Sequence, residues 1–103
     1  MAIRIGSYNF EGPYMNTSDL YDRAGVYAIL TLTWAGNYEV VDIGESATVR
    51  SRVETHDRHP CWQRNAKQGL YCAVLYTQHL QDDGRRSIEQ SLRDQFTPAC
   101  GVR

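Results

Sequence analysis

The sequence lacks the features of a membrane-bound, secreted or disordered chain. Its purely apolar stretches, such as Val26 to Leu30, are far shorter than the roughly 20 residues of a membrane-spanning helix. The N-terminus has no signal-peptide pattern, and no repeat or Ser/Gly/Pro-rich tract interrupts the chain. At 103 residues, with 42 % hydrophobic and 22 % charged residues, it is long enough for one domain and too short for two. We therefore expect a single cytoplasmic domain spanning residues 1–103.

Cysteine is scarce, and its spacing matches no redox or metal motif. Cys61, Cys72 and Cys100 are odd in number and form no CxxC pair. This pattern fits reduced thiols in an intracellular protein better than a disulfide framework. The alternative is a zinc site that combines these cysteines with His56 or His59. Such a site predicts stoichiometric zinc and unfolding by a chelator.

An overall positive charge is also absent, because the formal net charge is -1. The protein as a whole is therefore not the basic body expected of a general nucleic-acid coat. Positive charge is concentrated between positions 50 and 67, where the sequence has five basic residues and two acidic ones. Nearly all basic residues of the chain are Arg, whose planar guanidinium suits bidentate phosphate contacts. A solvated arginine-rich face is the plain alternative.

Three segments have the composition of strands. Gly25 to Leu32 reads GVYAILTL and Tyr38 to Ile43 reads YEVVDI, and the turn residues between them predict a β-hairpin. Leu70 to Thr77, reading LYCAVLYT, is the third predicted strand. In the N-terminal segment we expect an additional edge strand from Ala2 to Tyr8 and a short helix around Ser18 to Asp22.

Two segments that come after these strands have the periodicity of helices. Ala47 to His56 has valines four residues apart, which predicts a short amphipathic helix with Ser46 as its N-cap. Asp57 to Gly69 is predicted as a loop with at most one helical turn. Arg86 to Phe96 is the last predicted helix, ended by the proline that follows. The order β-β-α-β-α predicts an α+β fold, in which helices flank a small three-stranded antiparallel sheet that the N-terminal strand extends if it pairs.

Candidate functional residues stand out by their order along the chain. Gly25-Val26-Tyr27 lies in the first strand of the hairpin and Asp42-Ile43-Gly44 ends the second. Arg52 and His56 follow in the next helix, and Glu89 lies in the last one. In this order the chain resembles the GIY-YIG nuclease family. That family carries its two tripeptides on adjacent strands of a hairpin, then a helix with an Arg and often a His, then a helix with a metal-binding Glu.

The resemblance extends over about residues 25 to 98 and implies a metal-dependent DNA endonuclease of the GIY-YIG type. It implies that Tyr27 is the general base or orients the attacking water, and that Arg52 clamps the scissile phosphate. It also implies that Glu89 holds one Mg²⁺ or Mn²⁺ ion and that His56 orients a group or relays a proton. Each residue also has a plain structural interpretation: a strand aromatic for Tyr27, solvated helix residues for Arg52 and Glu89, and a helix cap for His56.

The chemistry of phosphodiester hydrolysis supports the same grouping. The reaction needs an activated water, charge stabilisation on the phosphate oxygens and neutralisation of the leaving alkoxide. Arg52 and His56 are four residues apart, so a helix would place them on one face. The end of the hairpin would bring the strand residues next to the N-terminus of that helix, which is a favourable anion site.

The second tripeptide departs from the family pattern, because Asp42 stands where the family has a tyrosine. Asp42 could accept a hydrogen bond from His56 or Tyr27, or it could shape the metal site together with Glu89. It could also mark a site that has lost activity. We therefore place Asp42 among the candidate catalytic residues and keep a degenerate nucleic-acid-binding module as the competing function.

The basic segment supplies the candidate nucleic-acid contacts. Trp62 could stack on a base and the cations could contact the backbone, with core packing of Trp62 as the alternative. Because no separate DNA-binding domain is apparent, we expect a flexible, single-stranded or structured DNA rather than a long duplex. The candidate contact residues are Arg50, Arg58, Trp62, Arg64, Lys67 and Ser46, whose hydroxyl would lie near the phosphate unless it caps the helix.

Overall fold

The computed structural model describes residues 1–101 and has an α+β fold with one five-stranded antiparallel sheet. The strands are β1 (Ala2–Ile5), β2 (Tyr8–Tyr14), β3 (Gly25–Leu32), β4 (Tyr38–Ser46) and β5 (Gln68–Tyr76), in the order β1-β2-β5-β3-β4. The helices are α1 (Val49–Glu54), α2 (His59–Arg64) and α3 (Asp82–Phe96). In the described part of the chain, no helix has the length and apolar character needed to cross a membrane.

Strand β3, which lies between β5 and the edge strand β4, is buried on both faces, which explains its almost uninterrupted apolar sequence. Side chains alternate along a strand, so Tyr27 and Ile29 point to one face, and Val26 and Ala28 point to the other. Helices α1 and α2 cover the Tyr27 face, where Val49 and Trp62 join the core. Helix α3 covers the opposite face.

The predicted hairpin and third strand are confirmed as β3, β4 and β5, but the sheet has five strands rather than three. The N-terminal segment forms two strands instead of one edge strand, because a tight turn at Gly6-Ser7 pairs Ile5 with Tyr8. Gly6 has φ 60°, a conformation that glycine adopts without a steric penalty. The helix predicted around Ser18 to Asp22 is a 3₁₀ helix at Thr17–Asp19.

The helix boundaries differ from the predicted ones. Helix α1 begins at Val49, and the predicted N-cap Ser46 instead accepts the backbone N–H of Thr48 at 2.9 Å. Helix α2 lies within the predicted loop and has Pro60 in its first turn, where a missing N–H costs nothing. Helix α3 begins at Asp82, four residues before the predicted start, since acidic residues in the first turn favour the helix dipole.

The segment after α3 crosses the edge of the sheet at β4. The backbone N–H of Cys100 donates to the carbonyl of Val41 at 3.1 Å, and Cys100 forms a disulfide with Cys61 of α2. The prediction of three reduced thiols is therefore wrong, because the crossing brings together two cysteines that are distant in sequence. Cys72 is buried and free. The disulfide also leaves Cys61 and Cys100 without thiolates for the alternative zinc site.

Candidate active site at the edge strand

A β-bulge in β4 determines where Asp42 points. Ile29 pairs with Asp42 and the next residue, Leu30, pairs with Val40, so Val41 is an extra residue in β4. A bulge of this kind re-aims the side chains beside it. Val41 belongs to the hydrophobic cluster on the α1/α2 face, and the Asp42 carboxylate reaches Trp62 of α2 on that same face.

Asp42 is completely buried and accepts hydrogen bonds from three side chains. Arg58 Nε and Trp62 Nε1 both donate to Oδ2 at 2.7 Å, and Arg93 Nη1 donates to Oδ1 at 2.9 Å. The backbone N–H of Ile43 also donates to Oδ1 at 2.9 Å. The guanidinium groups of Arg58 and Arg93 thus offset the charge of the buried carboxylate. Such pairing is needed because an unpaired charge is costly to bury. We call Asp42, Arg58, Trp62 and Arg93 the Asp42 cluster.

The Asp42 cluster corrects two predictions. Within residues 1–101 the hydrogen-bond donors to Asp42 are cluster residues and a backbone amide, rather than Tyr27 or His56. The carboxylate is fully buried, and its bonds to Arg58, Trp62 and Arg93 position α2 and α3 rather than Tyr27 or His56. Trp62 is 2 % exposed, so it cannot stack on a base and instead packs in the core.

Tyr27 lies beside the edge strand because its cross-strand partner has no side chain. Tyr27 pairs with Gly44, and a Cβ at position 44 would overlap the Tyr27 hydroxyl and ring. The glycine of the second tripeptide therefore makes room for the tyrosine of the first. Tyr27 is 1 % exposed, and its hydroxyl is buried next to Gly44.

The protonation state of Tyr27 favours one of its two predicted roles. Burial, followed by the negative charge of Asp42, raises the pKa of Tyr27 to about 12, although Arg52 and Arg58 oppose the shift. The phenol is therefore protonated at neutral pH. A protonated phenol can orient a water molecule or donate to a phosphate, but it is a poor general base.

Arg52 and His56 both lie next to Tyr27, although they do not share a helix. The Arg52 guanidinium lies close enough to Tyr27 to oppose the rise of its pKa, and it donates to Asp57 Oδ1 at 3.3 Å, with 42 % of its side chain exposed. Helix α1 ends at Glu54, so the prediction that His56 lies in the same helix is wrong. The His56 ring turns inward and makes an edge contact with Tyr27, with ring centroids 6.0 Å apart.

His56 is a neutral, buried imidazole. Burial and then the charges of Arg52 and Arg58 lower the pKa of His56 to about 4. Its Nδ1 accepts the backbone N–H of Arg58 at 3.0 Å, so the proton of the neutral ring is on Nε2. This N–H is buried without a hydrogen-bond partner among the described residues. Since the ring is uncharged, the 3.3 Å approach of Asp57 to Nδ1 is not an ion pair at neutral pH.

The N-terminus of α1 is not an anion site. The N–H of Val49 donates to the carbonyl of Arg23 at 3.0 Å, and the N–H of Ser51 donates to Asp22 at 2.9 Å. Asp22 also accepts the Ser51 hydroxyl at 2.6 Å. These bonds occupy amides that we expected to face a phosphate. Of the groups predicted to hold a phosphate on this side of the sheet, Arg52 is the one that remains part-exposed.

Glu89 lies on the other side of the edge strand, in an open groove between β4 and α3. The groove is lined by Glu45, Asp83, Arg86, Ser87, Glu89 and Gln90. Glu45 follows Gly44 directly, so the groove adjoins the residue that covers the Tyr27 hydroxyl. Tyr27 and Arg52 therefore lie on one face of the sheet at Gly44, and Glu89 lies on the other face.

Other candidate contact residues are distributed over the surface rather than gathered at this edge. Arg50 pairs with Glu54 at 3.4 Å and Lys67 pairs with Glu39 at 3.0 Å, both in exposed positions. Arg64 is exposed at the end of α2. Such exposed ion pairs are weak enough to exchange partners with a phosphate.

The carboxylates at the β4 edge could hold Mg²⁺ or Mn²⁺ only in a site where the protein supplies few of the ligands. No group of three or more His, Cys, Asp or Glu side chains within residues 1–101 is arranged to hold a metal. The carboxylates that line the groove are those of Glu45, Asp83 and Glu89, and Glu45 is bonded to Arg85 at 2.5 Å. A hard cation held by one carboxylate, with waters and substrate phosphate as other ligands, is ordinary for Mg²⁺.

No family model, curated protein or solved structure matches this chain. The resemblance to GIY-YIG nucleases therefore rests on the two tripeptides, on Arg52, His56 and Glu89, and on their order.

The sequence pattern did not indicate that Arg93, Arg85 and Glu45 form ion pairs at the β4 edge. Arg93 is 7 % exposed and donates to the carbonyls of Ile43 and Gly101 in addition to Asp42. Its spacing of four residues from Glu89 is the signal that could have placed both at the β4 edge. The pairing of Glu45 with Arg85 connects residues forty positions apart, so no local pattern indicates it.

Proposed function

We propose that this protein is a metal-dependent DNA endonuclease that hydrolyses phosphodiester bonds at the β4 edge around Gly44. The proposal is supported chiefly by the position of Tyr27 and Arg52 beside Gly44 on one face of the sheet, with Glu89 in the groove that Glu45 lines on the opposite face. These groups come from three separate elements. A phosphate at this edge would meet a cation on one side and a carboxylate on the other.

Each group has a distinct part in the proposed reaction. Arg52 holds the scissile phosphate, because its guanidinium is part-exposed and is oriented by Tyr27 and Asp57. The protonated Tyr27 hydroxyl acts through Arg52, because a side chain that is 1 % exposed does not itself contact the substrate. Glu89 would hold Mg²⁺ or Mn²⁺, which stabilises negative charge on the phosphate and the leaving oxygen. His56 keeps Tyr27 and the turn after α1 in place as a neutral ring.

The preferred substrate is a single-stranded or structured DNA. Exposed cations are few around the edge, and several are paired with carboxylates. A duplex-binding enzyme normally has a larger interface with several phosphate contacts. A flexible strand can bend so that one phosphate reaches the edge strand.

A cleavage assay tests the proposal. Labelled single-stranded DNA, duplex DNA and RNA are incubated with Mg²⁺, Mn²⁺ or EDTA. We expect metal-dependent cleavage of single-stranded DNA, reduced on the order of 100-fold or more by Arg52→Ala, since removing one transition-state donor costs that much. Glu89→Gln should abolish metal-dependent cleavage. Tyr27→Phe should slow cleavage and leave the free energy of unfolding nearly unchanged.

The matched controls are Arg4→Ala, an exposed arginine on β1 at the opposite edge of the sheet, and Glu39→Gln, an exposed carboxylate at the other end of β4 from Gly44. Both should cleave as the unmodified protein does. If no substrate is cleaved with either metal, the enzyme proposal is wrong.

The competing function is a nucleic-acid-binding module without catalysis. It is favoured by the burial of Tyr27 and His56, each less than 5 % exposed. It predicts retention of single-stranded DNA in a gel-shift experiment with no metal-dependent cleavage. In that case Arg52→Ala would weaken retention, and Glu89→Gln would leave it unchanged.

A further inference from the structure

A second site lies on the α1/α2 face, away from the Gly44 edge. It is a cavity of about 150 Å³ that opens to solvent between β2, β5 and the two short helices. Its lining includes the rings of Tyr14 and Trp62 and the side chains of Ile29 and Leu70. Its position, volume and charge determine what it can hold.

The size of the cavity selects a single ring. An apolar cavity of about 150 Å³ in a protein core accommodates one benzene molecule. The aromatic walls offer ring faces and edges for stacking with such a guest. Cys72 at the cavity has a pKa raised to about 12 by burial, so it contributes an uncharged thiol to the apolar lining.

The rim of the cavity carries negative charge. Glu11 lies in β2 with the lining residue Tyr14, and Asp19 lies in the 3₁₀ helix with the lining residue Thr17; burial and then their charges raise the pKa of Tyr14. The lining residue Thr17 donates its hydroxyl to Glu54 at 2.7 Å, which brings a third carboxylate to the rim. The cation among these groups is Arg50, which lies 3.4 Å from Glu54 and offsets that one charge.

His59 adds an acceptor to the lining. Its Nε2 lies 2.7 Å from the carbonyl oxygen of Val53, which can only accept, so Nε2 is the donor. In the neutral ring Nδ1 is then an acceptor. Together with the rim carboxylates, this favours a guest that donates hydrogen bonds and carries positive charge, and it disfavours a nucleotide phosphate.

We propose that this cavity binds a small amphiphile with one six-membered apolar ring and an ammonium head group. The ring fills the space between Tyr14, Trp62 and Leu70, and the ammonium group lies at the rim near Glu11, Asp19 and Glu54. The Trp62 ring forms a wall of the cavity and its Nε1 donates to Asp42. An occupant therefore packs against the side chain that links α2 to the Asp42 cluster.

Binding of benzylamine, benzyl alcohol and benzoate to the full chain tests the proposal. Trp34→Phe removes the other tryptophan, which is 76 % exposed, so that fluorescence reports Trp62 alone. We expect saturable changes with benzylamine at neutral pH and at least tenfold weaker binding of benzoate. The double variant Glu11→Gln/Asp19→Asn should reduce the preference for the amine over the alcohol and leave alcohol binding unchanged.

Two further variants test the location. Leu70→Phe narrows the cavity and should weaken benzylamine binding at least tenfold, whereas Leu80→Phe, outside the lining, should not. If Leu70→Phe does not fold, the two rim substitutions lie at exposed positions and still decide the outcome. The proposal is overturned if benzylamine gives no saturable response. It is equally overturned if benzoate or thymidine monophosphate binds as tightly as benzylamine.

Discussion

At the scale of single residues, the most consequential side chain is Asp42. It occupies the position of the second tyrosine of the GIY-YIG pattern, but it serves as the anchor of a buried ion cluster. The carboxylate holds α2 through Arg58 and Trp62, and it holds α3 through Arg93. The carboxylate therefore supports the edge strand from its buried side, and Arg52 lies close enough to Tyr27 to oppose the rise of its pKa.

Replacing Asp42 by asparagine should lower the free energy of unfolding by about 3–5 kcal/mol. The substitution removes the negative charge and leaves two guanidinium groups without their partner, of which Arg93 is buried. Urea unfolding followed by circular dichroism measures the change. The control Glu39→Gln breaks an exposed ion pair with Lys67 and should cost at most about 1 kcal/mol. Equal effects of the two substitutions would contradict the role of the Asp42 cluster.

His56 should make stability depend on pH. Its pKa is lowered to about 4 in the folded protein, below the value of 6.5 expected for the unfolded chain. Between these values the unfolded chain binds the proton more readily, so stability is complete above pH 6.5 and falls as the pH is lowered towards 4. The full loss is about 3 kcal/mol.

The measurement is urea unfolding at a series of pH values. His56→Gln should remove this part of the pH dependence, while His79→Gln, at an exposed position, should retain it. An unchanged acid slope in His56→Gln would show that carboxylates alone produce it.

At the scale of secondary-structure elements, the two short helices are held from outside. Helices α1 and α2 have six residues each, too few to be stable alone. Asp22 caps α1 through Ser51, and Asp42 holds α2 through Trp62. The disulfide between Cys61 and Cys100 adds a covalent link from α2 to the segment that follows α3.

Breaking this disulfide should destabilise the fold substantially. Its cysteines are 39 residues apart, and closing a loop of that length stabilises a protein by about 4 kcal/mol in the chain-entropy description. We expect a Cys61→Ser/Cys100→Ser variant, or the protein in reductant, to unfold at lower urea concentration. Reductant should have no additional effect on the double variant. If reductant leaves the midpoint of the unmodified protein unchanged, the disulfide does not form in solution.

At the scale of the whole molecule, the formal charge of -1 limits how strongly a nucleic acid can be held. Basic residues of the segment from 50 to 67 are partly neutralised by ion pairs, with Arg58 bound to Asp42 and Arg50 close to Glu54. A bound strand therefore has few cations to contact. Its affinity should come from a small number of phosphate contacts.

The salt dependence of DNA binding measures that number. With about three phosphates neutralised, the logarithm of the binding constant for single-stranded DNA should fall against the logarithm of salt concentration with a slope of about -2. Fluorescence anisotropy with a labelled oligonucleotide at several salt concentrations gives the slope. A slope steeper than about -4 would indicate a broader basic surface than the structure presents.

The sequence by itself determined the elements whose periodicity is strong. The hairpin of β3 and β4 and the strand β5 follow from β-branched and aromatic runs, and α3 follows from its apolar stripe. Local spacing also indicated that Tyr27, Arg52 and His56 lie near one another. The same spacing predicted one helix for Arg52 and His56. Helix α1 instead ends at Glu54, and this early end depends on tertiary contacts that a local pattern does not contain.

Only the tertiary structure decided what Asp42, Trp62 and the cysteines do. The bulge at Val41 turns Asp42 towards α2, and a one-residue change of register leaves no local signal in the sequence. Arg93 and Cys100 reach the same place because the chain crosses the β4 edge after α3. Buried charges and disulfides join residues that are distant in sequence, so their partners are determined by the packing of elements rather than by the pattern within any one of them.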